Sequence, residues 1–178
     1  GDTLRLRDGR SVRLVGIDAP EIDHRSHHHE SMALESWRYL RKLSDGKRLR
    51  LELDQSAQDS YGRILAYVYD SNGCLLNQQI VANGFAHVLY QPPDTKAYEI
   101  LLAAQRLALE ANEGKWRTMS WEEGPFVANT RSKRFHLLQC PSTAQSNPKY
   151  LIRFRTQRQA FWDGYAPCRR CLSPIKKS

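Results

Sequence analysis

The sequence predicts an α+β chain: a small β-barrel with helices packed on it, followed by a compact α/β module stapled by a metal. Three observations carry this reading. Short segments of period-two alternation are interleaved with segments of helical period over roughly residues 1–120. The composition changes near Trp121-Glu122-Glu123-Gly124-Pro125. Beyond that point His136, Cys140, Cys168 and Cys171 fall into two close pairs.

The elements follow in order. Leu4 and Leu6 alternate with polar residues, Asp8-Gly9 turns the chain, and Val12 to Ile17 returns as the second strand of a hairpin. Asp18 to Glu30 is polar, holds His24, His27, His28 and His29, and reads as a loop. Met32, Leu34, Trp37, Leu40 and Leu43 recur at helical spacing up to Asp45-Gly46. Leu49, Leu51 and Leu53 alternate with Arg50 and Glu52 as a half-buried strand, and Ile64 to Tyr69 is a further strand turning at Ser71-Asn72-Gly73. Leu76 to Asn83 is a short helix closed by Gly84, and Phe85 to Tyr90 a short strand. Asp94 is the expected N-cap of a long helix through Tyr98, Leu101, Leu102 and Leu109 that Gly114 ends. The boundaries drawn are 1–121 for the first domain, 126–173 for the module and 174–178 for a basic tail.

With 178 residues, 40% hydrophobic and 26% charged, the chain can bury a core. No apolar run approaches the ~20 residues of a membrane span, so a membrane partner is not expected and a monomer is. The chain opens at Gly1-Asp2-Thr3, inside what reads as a working motif, so residues are expected upstream of it. The net charge of +8 is unevenly spread: residues 126–178 carry 11 Lys/Arg against the single acid Asp163, leaving a small negative excess before them. A basic segment of this density attracts polyanions, nucleic acid first.

Asp2, Asp18 and Glu21 with Arg13 and Arg63 form a chemical set. Taken singly each is an ordinary surface or turn residue. Together they supply what hydrolysis of a phosphodiester needs. Carboxylates hold a hard cation, a Glu orients or deprotonates water, and two guanidinium forks compensate charge growing on the phosphate oxygens. In the second half, His136-x3-Cys140 and Cys168-x2-Cys171 are separated by 27 residues. Four N/S ligands in two pairs suit a tetrahedral structural zinc ion, and a basic segment of 53 residues has reason to use one. The alternative is one disulfide with His136 a bystander. Cys74 stands apart on a turn as a free thiol. The His27-His28-His29 run reads as a solvated loop, with transition-metal binding the alternative.

Gly1-Asp2-Thr3, Arg13-Leu14-Val15-Gly16-Ile17-Asp18-Ala19-Pro20-Glu21 and Asp59-Ser60-Tyr61-Gly62-Arg63 resemble the three signature segments of the staphylococcal-nuclease family. The likeness continues through Leu65-Ala66-Tyr67-Val68-Tyr69, Asn83-Gly84 and Gly114-Lys115-Trp116. The resemblance implies a five-stranded OB-type barrel with three helices. It implies a calcium ion on Asp2, Asp18 and the Ala19 carbonyl, Glu21 as general base or water-positioning residue, and Arg13 and Arg63 on the phosphate. Tyr61 would contact nucleotide. The family cuts DNA and RNA, leaving 3′-phosphate ends, and many members are exported, which makes an exported bacterial protein the expected location; a reduced zinc-thiolate site argues for the cytoplasm instead. The family pattern has an Asp and a strand before Gly1; were Gly1 the true start, the barrel would lack its first strand and leave an unpaired edge.

Asn129, Ser132-Lys133-Arg134-Phe135-His136, Cys140-Pro141 and Gly164-Tyr165-Ala166-Pro167-Cys168-Arg169-Arg170-Cys171 resemble the metal-binding domain of the Ada DNA-repair protein. There four cysteines bind zinc and the first accepts a methyl group. Here His136 takes that position, so methyl acceptance is not implied and a zinc-stapled basic module is. Arg131, Lys133, Arg134, Arg153, Arg155, Arg169 and Arg170 are its candidate phosphate contacts, and strand alternation over 150–155 puts Arg153 and Arg155 on one face. The leading expectation is a calcium-dependent nuclease acting on DNA or RNA. The alternative is a non-catalytic nucleic-acid-binding protein using the barrel as scaffold.

Overall fold

A computed structural model describes residues 1–22 and 29–172. His24, His27 and His28 lie outside them, as does the tail from Ser173; His29 is exposed. The expected hairpin forms from β1 (Thr3–Arg5) and β2 (Ser11–Leu14), with Leu4 opposite Val12. The sequence reading carries the second strand on to Ile17, but the chain breaks after Leu14. Gly16 takes φ +77°, a left-handed conformation, and β3 (Ile17–Asp18) leaves to pair with β6 (His87–Val88). Helix α1 (Ala33–Ser44) buries Ala33, Ser36 and Leu40. β4 (Arg50–Glu52) and β5 (Ile64–Tyr69) then pair antiparallel, and β2 lies parallel to β5.

The first half is therefore a four-stranded sheet of order β1-β2-β5-β4 beside the two-stranded β3-β6 ribbon. It does not close into the expected five-stranded barrel, and β1 stands at the sheet edge. Asn77 of α2 (Leu76–Ala82) seals the break between β2 and β3. Fully buried, it donates to the Val15 carbonyl at 2.8 Å and accepts the Val68 amide at 3.0 Å. The long helix begins later than expected. α3 spans Tyr98–Glu110 without a side-chain cap, because the Asp94 carboxylate is taken by the Ser56 amide at 2.7 Å. A short α4 (Lys115–Thr118) follows that the pattern did not announce.

Two glycines explain why Asn83-Gly84 and Gly114-Lys115-Trp116 belong together. A Cβ on Gly84 would meet the Glu113 carbonyl oxygen at 2.1 Å, and one on Gly114 the Asn83 carbonyl oxygen at 2.4 Å. Only bare backbone allows this approach, which lets the Lys115 amide donate to the Gly84 carbonyl at 2.9 Å and so fixes where Lys115 emerges. Gly84→Ala, at φ +67°, is expected to cost at least about 2 kcal/mol, read from the urea midpoint at unchanged slope.

The second half is a four-stranded sheet of order β10-β8-β7-β9 built from β7 (Glu123–Asn129), β8 (Arg134–Leu137), β9 (Leu151–Thr156) and β10 (Ala166–Pro167). Short α5 (Pro141–Ala144) and α6 (Gln157–Trp162) complete it, while the described residues of the first half hold four α-helices, α1 to α4, where three are expected for the barrel. On β9 Phe154 is buried while Arg153 and Arg155 face out together, as the alternation predicts.

The two halves share a core. Ala108, Leu109 and Trp116 of the first pack with Phe126, Phe135, Phe154, Phe161 and Tyr165 of the second. Polar contacts lock the seam. Buried Gln105 accepts the Val88 amide and donates to the Phe161 carbonyl, Arg106 donates to the Trp162 carbonyl, and Arg158 donates to the Leu109 carbonyl. Residues 119–122 join α4 to β7, and these contacts seat the second half against the ends of β3 and β6. No described helix is long and apolar enough to cross a membrane.

Candidate active site and metal centre

The first-half site forms where β2, β3 and the start of β1 meet. Asp2 precedes β1, and its backbone carbonyl accepts the Leu14 amide at 2.9 Å. Its Oδ2 accepts the Ala19 amide at 3.1 Å, which ties the start of the chain to the end of β3. Arg13 points inward from β2. Its Nη2 lies 3.0 Å from Asp2 Oδ2 and 3.6 Å from Asp18 Oδ1, while Nη1 donates to the Leu14 carbonyl at 2.6 Å. Asp18 is 6% exposed. Burying a carboxylate this far is tolerable only with charge and hydrogen-bond compensation, and guanidinium groups supply it. Glu21, three residues on, is 55% exposed, and its backbone amide donates to Glu30 at 3.0 Å. Burial pushes the Glu30 carboxyl above its ordinary range.

Thus Asp2, Asp18, Ala19, Glu21 and Arg13 lie together. Arg63 does not join them. Its Nε donates to Asp59 Oδ2 at 2.7 Å, and among the described residues its ion pair is with Asp59 alone. Tyr61 is 82% exposed, with the Arg63 guanidinium 5.4 Å from its ring.

The sequence reading missed two residues behind Asp18. The ring of His87, on β6, lies with Nε2 3.8 Å from Asp18 Oδ2, too long for a direct hydrogen bond. On the other side of the ring, Nδ1 is 3.0 Å from Lys115 Nζ. Burial, with the Lys115 charge added, holds His87 well below its ordinary pKa, so the ring is neutral. Facing an ammonium, Nδ1 is the acceptor and the ring proton sits on Nε2 toward Asp18. The only sequence signal was the Gly114-Lys115-Trp116 segment, which carried no role.

Lys115 is partly exposed along its stem, but its ammonium is enclosed by Trp116 and Phe161, and burial lowers its pKa to about 8. The unfolded chain holds this proton to about 10.4. Between those values the unfolded state binds more protons, so this group's contribution to stability rises with pH there. Below about 8 the buried charge is a full penalty. Lys115→Met is therefore expected to be more stable than wild type at pH 7, with the advantage shrinking as pH passes 8 toward 10. The difference between the two urea midpoints across that range is the check.

In the second half, ligand atoms of His136, Cys140, Cys168 and Cys171 all lie within 4.8 Å of one another. His136 comes from β8, Cys140 from the turn capping α5, and the other two from the turn after β10. All four cysteines of the chain are free thiols, Cys74 exposed on its turn and Cys140 and Cys168 buried. The donor chemistry fits zinc. Bonds near 2.3 Å place tetrahedral ligand atoms about 3.8 Å apart, a modest contraction of this set. His136 Nδ1 is buried without a hydrogen-bond partner, and burial keeps the ring below its ordinary pKa and neutral, the form that ligates. Of the seven basic residues singled out for phosphate, Arg131, Arg153, Arg155, Arg169 and Arg170 are exposed. Lys133 lies over the Tyr165 ring, and half-buried Arg134 donates to the Pro167 carbonyl at 3.1 Å. Arg169 leaves the module altogether: its Nη2 stands 2.5 Å from Asp18 Oδ1 and 3.0 Å from Glu21 Oε1.

Comparison with known proteins matches residues 11–118 to the family described as staphylococcal nuclease homologue. The chain belongs to this family. A thermonuclease of Staphylococcus intermedius is 30% identical over 119 residues, covering 65% of this chain and 70% of that protein. An uncharacterized endonuclease of Escherichia coli is 34% identical over 119 residues, covering 65% and 71%. An uncharacterized protein of Bacillus anthracis is 33% identical over 129 residues, covering 65% of this chain and 60% of its own length. The chain thus spans about 60 to 70% of these staphylococcal-nuclease relatives.

Proposed function

We propose that the chain is a calcium-dependent phosphodiesterase that hydrolyses DNA or RNA, with residues 1–121 carrying the chemistry and residues 126–173 forming a zinc-stapled module. The observation that carries this is the convergence of three carboxylates on one guanidinium-lined spot, with Arg13 at 3.0 Å and 3.6 Å from Asp2 and Asp18 and Glu21 beside them. The names of the thermonuclease and endonuclease relatives support it.

Asp2, Asp18 and the Ala19 carbonyl would hold the calcium ion, a hard-oxygen set that suits it and not a soft metal. Bound there, the ion would polarise the phosphate and offset charge on its oxygens. Glu21, solvent-facing at the rim, accepts the proton of an attacking water. Arg13 is fixed by its backbone bond and aims its second nitrogen at the carboxylates, where a phosphate would arrive. Arg63 takes its share of the phosphate by exchanging Asp59 for it, and Tyr61 offers an exposed face for a base. His136, Cys140, Cys168 and Cys171 would hold zinc. Arg131, Lys133, Arg153, Arg155 and Arg170 extend a basic surface along which a nucleic-acid strand gains affinity without altering the chemistry. Arg134, tied to Pro167, serves the module's structure. The protein acts as a monomer, and export fits an unspecific nuclease, which would endanger its own cell.

The test is cleavage of single- and double-stranded DNA and RNA by the whole protein. Calcium-dependent shortening that stops in chelator is expected. Binding without shortening, with calcium present and the fold verified, rejects the hydrolase in favour of a nucleic-acid reader.

A further inference from the structure

The resemblance to the nuclease family assigns the phosphate to Arg13 and Arg63, yet the second guanidinium at the carboxylates comes from the other half of the chain. Arg169 lies between Cys168 and Cys171, in a turn held by the Cys168 amide on the Phe135 carbonyl at 2.9 Å and the Leu172 amide on the Cys168 carbonyl at 2.9 Å. Its Nη2 alone meets Asp18 and Glu21. Its Nε and Nη1 have no recorded partner among the described residues, and the side chain is 58% exposed. A guanidinium anchored by one nitrogen, with the rest of its fork open to solvent, is arranged to take two oxygens of an incoming phosphate.

We propose that Arg169 is a catalytic residue of this site: it binds the scissile phosphate beside Glu21, so that the module supplies part of the active site rather than affinity alone. This rests on the hydrolase reading above. Arg169 donates hydrogen bonds to the non-bridging oxygens and takes part in no bond making. Glu21 keeps it in place while Asp18 is engaged elsewhere. The strength of such a contact follows from its place in a partly desolvated site.

The experiment uses the full chain with zinc content and melting temperature verified for each variant. Single-turnover cleavage of a short single-stranded oligonucleotide in calcium is compared for wild type, Arg169→Ala, Arg169→Lys and, as control, Arg38→Ala on the outer face of α1. Loss of about 100-fold or more in the single-turnover rate is expected for Arg169→Ala, with little recovery by lysine, which lacks the fork. The control is expected to match wild type. Cleavage by Arg169→Ala within about twofold of wild type, or faster, overturns the proposal and leaves the hydrolase reading standing. If the wild type itself does not cut, the hydrolase reading fails on its own. Anisotropy with the same oligonucleotide then decides on Arg169: a tenfold weaker Kd in Arg169→Ala keeps it as a phosphate contact, while equal or absent binding rejects it.

Discussion

Glu21→Ala is expected to lower the cleavage rate by about 1,000-fold while leaving the fold intact, the scale at which positioned proton acceptors contribute. The side chain is 55% exposed and its one ion pair among the described residues is with Arg169. Removing it costs the structure little, because exposed pairs contribute at most about 1 kcal/mol. The backbone amide, which donates to Glu30, is untouched by the substitution. Rate and stability should therefore separate: the melting temperature stays within a few degrees while the single-turnover rate collapses. Glu21→Gln is expected to be as slow, since it preserves size and polarity but cannot accept the proton. A Glu21→Ala protein cutting at the wild-type rate would show that the proton acceptor lies elsewhere.

The second large effect concerns the proposed zinc site. Cys140→Ser, or zinc removal by a strong chelator, is expected to destabilise the whole chain rather than its second half alone. His136, Cys140, Cys168 and Cys171 close three separate segments, and without an ion they leave buried polar atoms such as His136 Nδ1 unmatched. Structural zinc sites contribute directly to folding. The core beside this proposed staple also contains Ala108, Leu109 and Trp116, so its loosening would reach α3 and α4. A loss of several kcal/mol in a chain of this length lowers the melting temperature by roughly 10 °C or more. Metal analysis should find one zinc per chain in wild type and none in Cys140→Ser. An unchanged single melting transition in metal-free protein would show that the aromatic core alone holds the second half.

What could be read from the sequence was local. The Asp8-Gly9 hairpin, the helical period from Met32 to Leu43 and the apolar run of β5 each fix their structure by nearest-neighbour chemistry, and each stands where the pattern puts it. The misreadings were all tertiary. Asp94 has the chemistry of an N-cap, but the Ser56 amide competes for it from 38 positions away. The segment from Val12 to Ile17 reads as one apolar strand, yet Gly16 lets β3 leave the sheet for β6, and the barrel does not close. His87 reads as a strand residue until Lys115 is brought beneath it by the abutting Gly84 and Gly114. In the site, Asp2, Arg13, Asp18 and Glu21 were legible because their signature segments are short. Arg169 was legible only as one of many basic residues. Its partner Asp18 is 151 positions earlier, a separation over which no periodicity or motif carries information.

The measurement that bears most directly on the proposed site pairs calcium titration with cleavage in wild type and Asp18→Asn. The substitution keeps the shape of a side chain that is 6% exposed and removes the charge that Arg13, Arg169 and a calcium ion would share. If the carboxylates hold the ion and the chemistry occurs there, Asp18→Asn loses calcium binding and calcium-dependent cleavage together, in a folded protein. Cleavage at the wild-type rate by folded Asp18→Asn would contradict that placement and send the search for the chemistry to another part of the molecule.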